Sequence, residues 1–258
     1  MDSANGHFKA CFLGVGDNCQ DIRKHVLSEF NDLIVSFRKY CDDDLAFSVD
    51  ENNPQLTVLS FPEHQNNTVQ DIIFLLGSQQ DPLFWATRQK SISDAKYSFL
   101  FTLVLSENGA PGRSHTSSAN EAIIFFDRRD KERQITSFVK DMCRSWIFPR
   151  LLSRDFSDMK QALSSTKGRY LCFESQPSEY LPGFRQFLSD NIDTIKRASD
   201  IFYIVSSNLG HDFSITQHLH PIIDEIEKST NSECSIIGGD ALYAENKSAF
   251  RVFMICSE

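Results

Sequence analysis

The chain has 258 residues and a formal net charge of -9, and its length allows one large domain or two small ones. With 41% hydrophobic and 24% charged residues it has the composition of a globular protein, and its scattered Lys and Arg residues argue against a nucleic-acid surface. No apolar run reaches the roughly 20 residues of a membrane helix, and the polar first residues do not form a signal peptide, so we expect a cytoplasmic protein.

The first predicted elements are a strand, a glycine turn and a helix. Residues 8–13 are strand-like, and Gly14 and Gly16 follow them directly. Apolar residues at spacings of three and four then run from Ile22 to Phe37, as in a helix with one buried face. This order opens an α/β unit, and the helix N-terminus after the two glycines is a candidate anion site.

The rest of the first half contains four strand-like segments, at residues 56–61, 71–76, 97–105 and 122–126. A polar loop is predicted over residues 62–68. Residues 71–76 are an almost continuous apolar run, which is typical of a parallel strand covered on both faces. Because helical stretches alternate with these segments, the first half predicts a mainly parallel sheet with helices on its faces.

A long central helix is predicted after this sheet. Its apolar residues recur at spacings of three and four: Ile135, Phe138, Val139, Met142 and Trp146. Pro149 ends it. An acidic loop and a second helix follow, and Asp155 and Asp158 lie on one face at the start of that helix. Such a pair either caps the helix dipole or presents a functional acidic surface.

The second half predicts a small α+β unit of about four strands and two long helices. The strands fall at residues 169–173, 201–205, 234–237 and 250–256. The helices are marked by apolar residues at helical spacing over 184–195 and 215–226.

The sequence gives little support for a metal site, for disulfides or for a hydrolase triad. His218 and His220 stand two apart on a predicted helix and point in different directions, so we predict no metal site. Seven cysteines without a Cys-x-x-Cys pair predict reduced thiols. The sequence has no Gly-x-Ser-x-Gly motif, so a hydrolase triad is not predicted.

Residues 153–158 are Ser-Arg-Asp-Phe-Ser-Asp, residues 236–239 are Ile-Ile-Gly-Gly, and residues 251–256 are Arg-Val-Phe-Met-Ile-Cys. With these motifs the last 40% or so of the chain resembles the FtsZ/tubulin family of filament-forming GTPases, especially bacterial FtsZ. The family's acidic-loop motif, Asn-x-Asp-Phe-x-Asp, is similar to Ser-Arg-Asp-Phe-Ser-Asp at residues 153–158. Its closing motif, Ile-Ile-x-Gly followed by Arg-Val-x-Val-Ile-Ala, is similar to Ile-Ile-Gly-Gly at 236–239 and Arg-Val-Phe-Met-Ile-Cys at 251–256. A strand leading to a glycine turn, here Ser-Asn-Leu-Gly at 207–210, falls in the same order.

The first half departs from the family at its phosphate loop. The family has Gly-Gly-Gly-Thr-Gly-(Thr or Ser)-Gly after a buried strand, whereas residues 77–82 here are Gly-Ser-Gln-Gln-Asp-Pro. A phosphate cradle needs bare backbone N–H groups in conformations mostly open to glycine. Here Pro82 supplies no N–H, and Asp81 would repel a triphosphate. The family's guanine-contacting Asn also has no clear match at residues 126–128.

The resemblance implies an α/β fold with a parallel nucleotide-binding-type sheet, a long central helix and a smaller α+β C-terminal domain. The expected divisions are a degenerate Rossmann-like N-terminal domain at 1–129, the central helix at 130–152 and the C-terminal domain at 153–258. The doubtful, degenerate nucleotide contacts are Gly14, Gly16 and Gly77.

In the family, the acidic loop enters the nucleotide pocket of the next subunit. The resemblance therefore implies an acidic-loop interface of Ser153, Arg154, Asp155 and Asp158. We expect a non-hydrolysing FtsZ-like protein, without catalytic residues or a cofactor, that acts by contact with itself or with a true FtsZ in bacterial cytoskeleton or division. One alternative is an active polymerising GTPase with an atypical phosphate loop and GTP as its cofactor. Another is that the same frame binds something unrelated.

Overall fold

The computed structural model describes residues 6–16, 19, 21–22, 25–26, 46–49, 56–63, 71–94, 97–106, 116–127, 130–147, 156–175, 180–208, 215–243 and 250–257. The chain forms two compact units. Unit 1 comprises Met1–Cys143 with Ser164–Lys167, and unit 2 comprises Arg144–Leu163 with Gly168–Glu258. The domain boundaries predicted from the sequence stay predictions.

The described part of unit 1 holds six strands: β1 (Gly6–Gly14), β2 (Ala46–Val49), β3 (Leu56–Glu63), β4 (Asp71–Ser78), β5 (Phe99–Ser106) and β6 (Glu121–Asp127). Their order across the sheet is β2-β3-β1-β4-β5-β6. The β1–β4, β4–β5 and β5–β6 pairs are parallel, as predicted.

β3 differs from the expected parallel arrangement, because it pairs antiparallel with β1. β2 pairs antiparallel with β3 in turn. The register joins Gly6 to Glu63 and His7 to Pro62, so β3 continues through two residues that the sequence placed in a polar loop. β1 begins at Gly6, before the predicted first strand, and its pairing with β3 therefore extends β3 to Glu63.

Two helices cover the faces of this sheet: α1 (Pro82–Asp94) and α2 (Lys131–Ile147). The α2 residues Ile135, Phe138, Val139 and Met142, which were predicted to be buried, are all fully buried. The side chain of Trp146 and residue Pro149 lie outside the described part. The Phe138 ring meets those of Phe101 and Phe126 edge-on, with centroids 5.5 Å and 5.7 Å apart. On the α1 face, Phe84 packs in a cluster with strand residues that include Leu75, Leu100, Val104 and Ile123.

The described part of unit 2 holds four strands: β7 (Thr166–Ser175), β8 (Asp200–Asn208), β9 (Ser235–Tyr243) and β10 (Phe250–Ser257). Their order is β7-β10-β8-β9. β10 is antiparallel to both β7 and β8, and β8 is parallel to β9. The mixed pairing confirms the predicted α+β arrangement.

The helices of unit 2 are α3 (Phe156–Leu163), α4 (Tyr180–Asp190), α5 (Ile192–Arg197) and α6 (Ile215–Ser229). Buried residues of α4 and α6, among them Phe184, Leu188 and Ile222, share one core cluster with Val205 and Val252.

The sequence predicted one helix over residues 184–195, but the chain breaks it at Asn191. The Asn191 N–H donates to the Phe187 and Leu188 carbonyls, and its own carbonyl accepts from Thr194 and Ile195. One residue therefore ends α4 and begins α5.

Candidate functional site

The carboxyl ends of β1 and β4 lie side by side at one edge of unit 1. The register pairs Gly14 with Leu76, and the Val15 N–H donates to the Leu76 carbonyl at 2.8 Å. Gly14 ends β1, Gly16 follows it, and Gly77 stands one residue before the end of β4. The three glycines proposed from the sequence therefore share the edge at which α/β sheets bind ligands.

Gly77 is needed for the packing of α1. A Cβ atom at this position would lie 2.1 Å from Phe84 Cδ2 and 2.4 Å from Phe84 Cγ. Phe84 is fully buried, so its ring cannot move aside without disturbing the core. The absence of a side chain at Gly77 therefore leaves room for the Phe84 ring.

Gly14 and Gly16 shape the turn that leads to Cys19, which is helical. A Cβ at Gly14 would lie 3.0 Å from the Cys19 Cβ. Gly16 has φ +89°, a conformation that favours glycine, and its carbonyl accepts the Cys19 N–H at 3.1 Å. The Cys19 thiol donates to the Val15 carbonyl at 3.1 Å. The turn is closed by its own hydrogen bonds.

Asp81 caps the N-terminus of α1. Its Oδ1 accepts the Leu83 N–H at 2.9 Å, and its carbonyl accepts the Trp85 N–H at 3.4 Å. Pro82 occupies the first helical position, where an N–H would lack a partner anyway. Asp81 Oδ2 lies 3.3 Å from where a Gly16 Cβ would stand, so the carboxylate also faces the Gly16 turn.

Gln79, two residues before this cap, is also held by hydrogen bonds. The Gln79 N–H donates to the Leu105 carbonyl at 3.0 Å, and the Gln79 carbonyl accepts from Trp85 Nε1 at 2.9 Å. The backbone of residues 79–81 is thus hydrogen-bonded within the chain.

The electrostatics of this edge keep Cys19 protonated. Burial raises the pKa of the Cys19 thiol to about 11. The hydrogen bond to Val15 and the charge of Lys131 oppose this rise in pKa, whereas the charge of Asp81 adds to it. At neutral pH Cys19 is therefore a hydrogen-bond donor and not a nucleophile.

Ser106, at the carboxyl end of β5, was not singled out from the sequence. It is 2% exposed, and its Oγ has no hydrogen-bond partner among the residues that the structure describes. Leu100 and Val104 of the same strand pack with Phe84, so the alternation of side chains places Ser106 on the α1 face. A buried hydroxyl without a partner is uncommon, but the sequence carries no signal for it.

Asp158, the described member of the predicted acidic interface, lies in the first turn of α3 and is exposed. An acid there suits the positive end of the helix dipole. Ser153, Arg154 and Asp155 lie outside the described residues. The interface therefore stays a prediction.

The amino ends of β5 and β6 hold a buried ionic network that the sequence analysis missed. Arg88 of α1 donates to both Glu121 carboxylate oxygens, at 2.7 Å and 2.6 Å, and to the Thr116 carbonyl at 2.7 Å. The carboxylate also accepts from Thr102 Oγ1 at 2.5 Å and from the Ser118 N–H at 2.9 Å. A signal was present, because Arg88 stands four residues after Phe84 on the apolar face of its helix.

The described residues lack both a metal-ligand cluster and a membrane-spanning helix. Their His, Cys, Asp and Glu side chains form no group of three or more that could hold a metal ion. Within the same residues, no helix is long and apolar enough to cross a membrane.

Comparison with known proteins identifies the fold. No protein-family model matches the sequence, and no curated protein matches it either. Among solved structures, a mutant FtsZ of M. jannaschii is similar with a TM-score of 0.53 and 12% sequence identity, over 74% of this chain and 65% of that chain. The chain therefore has an FtsZ/tubulin-like fold, as expected, and spans slightly less than two thirds of that FtsZ.

Two further structures are similar at lower scores. CetZ from Methanosaeta thermophila has a TM-score of 0.48 and 9% identity, over 72% of this chain and 62% of that chain. A TubZ protofilament from Bacillus thuringiensis serovar israelensis has a TM-score of 0.47 and 13% identity, over 72% and 60% of the two chains. These scores add nothing to the assignment of the fold.

Proposed function

We propose that this chain uses its FtsZ/tubulin-like cytoskeletal fold for protein-protein contact and does not hydrolyse GTP. Its partner is a second copy of itself or a true FtsZ. Its setting is bacterial cytoskeleton or cell division in the cytoplasm.

The observation that carries this proposal is the use of the carboxyl edge of β1 and β4 by the chain's own side chains. The space beside Gly77 is filled by Phe84, and the start of α1 is capped by the Asp81 carboxylate. A triphosphate requires free N–H groups and room beside the backbone, and it is repelled by a carboxylate. These contacts therefore favour a protein that works without the nucleotide.

The contact surface we propose is the acidic start of α3. Asp158 is exposed there, and Asp155 precedes it by three residues in the sequence. In the family that this sequence resembles, the acidic loop is the part that meets the next subunit. A chain that keeps this loop and fills its own pocket is suited to dock on a filament end.

Calorimetric titration of the purified protein with GTP and GDP, in the presence of Mg²⁺ and up to millimolar nucleotide, tests the first part of the proposal. We expect no binding heat. Micromolar affinity would instead support the alternative of an active GTPase with an atypical phosphate loop, and turnover measurements would follow.

The charge reversal Asp155→Lys with Asp158→Lys tests the contact surface. We expect it to abolish co-sedimentation with purified FtsZ, or self-association in analytical ultracentrifugation, with little change in melting temperature. Glu233→Lys is the matched control, because Glu233 is an exposed acid elsewhere in unit 2. If the double variant binds as well as Glu233→Lys does, the acidic surface is not the interface.

A further inference from the structure

We propose that Ser165 and the turn at Ser117 and Ser118 form a serine clasp that holds the end of α3 and thereby keeps the acidic contact surface ordered. α3 carries Asp158 in its first turn and ends at Leu163, two residues before Ser165. The inference rests on the proposed function, because it concerns the control of that contact surface by a second part of the chain.

The backbone of Ser165 is strained. It has φ +62°, and no other non-glycine residue has a positive φ in the part of the chain that the structure describes. Helices commonly end in this left-handed conformation at about this position, and the residue is then usually glycine. Because a side chain disfavours the conformation, contacts outside α3 must hold Ser165 in it.

Two hydrogen bonds join Ser165 to the turn. The Ser117 hydroxyl donates to the Ser165 carbonyl at 2.5 Å, and the Ser165 hydroxyl donates to the Ser118 carbonyl at 3.4 Å. A glycine would suit the φ of this position, but it could make only the first of these bonds. The serine is therefore explained by the clasp, and not by the end of the helix alone.

The buried Arg88–Glu121 pair fixes the turn that receives Ser165. Arg88 donates to the Thr116 carbonyl at 2.7 Å, and the Glu121 carboxylate accepts the Ser118 N–H at 2.9 Å. The Glu121 N–H also donates to the Ser118 carbonyl at 3.2 Å. The residues on both sides of Ser117 are thus bonded to a buried network, so Ser117 presents its hydroxyl from a fixed position.

The residues around Ser165 are held in unit 1. Ser164–Lys167 belong to this unit, whereas the residues directly before and directly after them belong to unit 2. Thr166 is buried, and Lys167 Nζ lies 5.9 Å from the centroid of the Phe125 ring of β6. The chain therefore leaves α3 through a short segment that unit 1 fixes.

The clasp can open at little cost. Ser165 is exposed and Ser117 is half-buried, so breaking their hydrogen bonds uncovers no apolar side chain. α3 has only eight residues, and a helix of this length depends on its surroundings. When the clasp opens, Ser165 returns to an ordinary φ, the last turn of α3 frays, and the acidic surface loses its support.

The test compares Ser117→Ala and Ser165→Val with Ser165→Gly in the full chain. Ser117→Ala removes the donor to the Ser165 carbonyl. The β-branched valine disfavours the left-handed φ, whereas glycine accepts it and keeps the carbonyl that Ser117 uses. Ser93→Ala is the matched control, because the exposed Ser93 hydroxyl donates to the Gln89 carbonyl at 2.9 Å elsewhere in unit 1.

The readouts are hydrogen–deuterium exchange of α3 and the proposed contact, measured as co-sedimentation with purified FtsZ or as self-association. Circular dichroism confirms that each variant is folded. We expect the last turn of α3 to exchange about fivefold faster in Ser117→Ala and Ser165→Val, which corresponds to the loss of one hydrogen bond. The contact should weaken severalfold in the same two variants.

The other two variants should behave nearly as the wild type in both measurements. In Ser165→Gly, relief of the strained φ offsets the loss of the hydroxyl of residue 165. Ser93→Ala leaves the clasp intact.

The outcomes separate the clasp from the proposed function. If α3 exchanges as slowly in folded Ser117→Ala as in Ser93→Ala, the clasp is overturned and the proposed function stands. Faster exchange with an unchanged contact would show that the clasp does not control the surface, which also overturns the inference. If the charge reversal at Asp155 and Asp158 leaves the contact intact, the proposed function fails and the control of the contact fails with it.

Discussion

The carboxyl and amino edges of the unit 1 sheet differ in the kind of contact that they contain. At the carboxyl edge, Gly14 and Gly77 accommodate packed side chains, and Asp81 bonds the start of α1. At the amino edge, an Arg88–Glu121 ion pair is buried, with side-chain exposures of 8% and 0%. The edge where α/β sheets usually bind ligands is thus occupied by side chains of the protein itself, and a buried polar network lies at the other edge.

This difference shows that glycines and a helix N-terminus at the carboxyl edge of a parallel sheet can serve the packing of the chain itself. A ligand site keeps its N–H groups and glycines available, whereas here they are used by Phe84, Cys19 and Asp81. Once the carboxyl edge contributes to the core, substitutions there should affect stability much as substitutions at the amino edge do. The variants below test whether the two edges contribute comparably to stability.

The largest effect is expected at the amino edge, from Arg88→Met. The substitution leaves the Glu121 carboxylate buried without the two guanidinium hydrogen bonds, so we expect unfolding to become easier by about 3–5 kcal/mol. Urea denaturation measures this. The double variant Arg88→Met with Glu121→Gln should recover part of the loss, and a loss below about 1 kcal/mol for the single variant would show that the pair is dispensable.

At the carboxyl edge, Gly77→Ala is expected to cost about 2–3 kcal/mol, because its Cβ would overlap the buried Phe84 ring. Phe84→Leu in the same chain should reduce the loss, as expected for residues in contact. Gly183→Ala in α4 is the matched control, since its Cβ would meet only the far end of Phe173, at 3.2 Å. Equal effects at Gly77 and Gly183 would mean that the packing at Gly77 is loose.

Alkaline pH should weaken the carboxyl edge through Cys19. Its pKa is raised to about 11 by burial, above the ordinary value of 9.0, so the buried neutral thiol contributes fully below pH 9. As pH rises from 9 to 11 the unfolded chain loses this proton first, and up to about 2–3 kcal/mol of stability is lost. Denaturation as a function of pH should show a shallower alkaline decline for Cys19→Ala. Identical profiles for the two proteins would contradict this assignment.

The smallest effect is expected from the cap itself. Asp81→Ala removes the acceptor of the Leu83 N–H and should cost about 1 kcal/mol, whereas Asp81→Asn keeps an acceptor and should be nearly neutral. Thermal melting of the two variants makes the comparison. If alanine and asparagine lower the melting temperature equally, the charge of Asp81, and not its hydrogen bond, supports α1.

Elements with a strong local pattern were predictable from the sequence. The apolar run before Gly77 forms β4, and the spacing of Ile135, Phe138 and Val139 marks the buried face of α2. The direction of β3 was not predictable, because an antiparallel and a parallel strand of this length carry the same apolar residues. The break at Asn191 was missed because the apolar spacing continues across it.

The sequence predicted where the candidate site lies in the sheet, but not which contacts its residues make. The glycines after β1 and β4 identified the carboxyl edge, since a turn after a parallel strand has a fixed position in such a sheet. That Gly77 accommodates Phe84 follows only from the packing of α1 against β4. The orphan hydroxyl of Ser106 likewise follows only from burial, which sequence spacing does not report.

The sequence by itself determined the order of strands and helices in the chain, the buried central helix and the absence of a glycine-rich loop at residues 77–82, because each is set by neighbouring residues. Only the tertiary structure decided which contacts these residues make. Arg88 and Glu121 stand 33 positions apart and form an ion pair because α1 packs on the sheet and β6, which carries Glu121, pairs beside β5. In the same way, Asp81 meets Gly16 because parallel pairing brings the ends of β1 and β4 together.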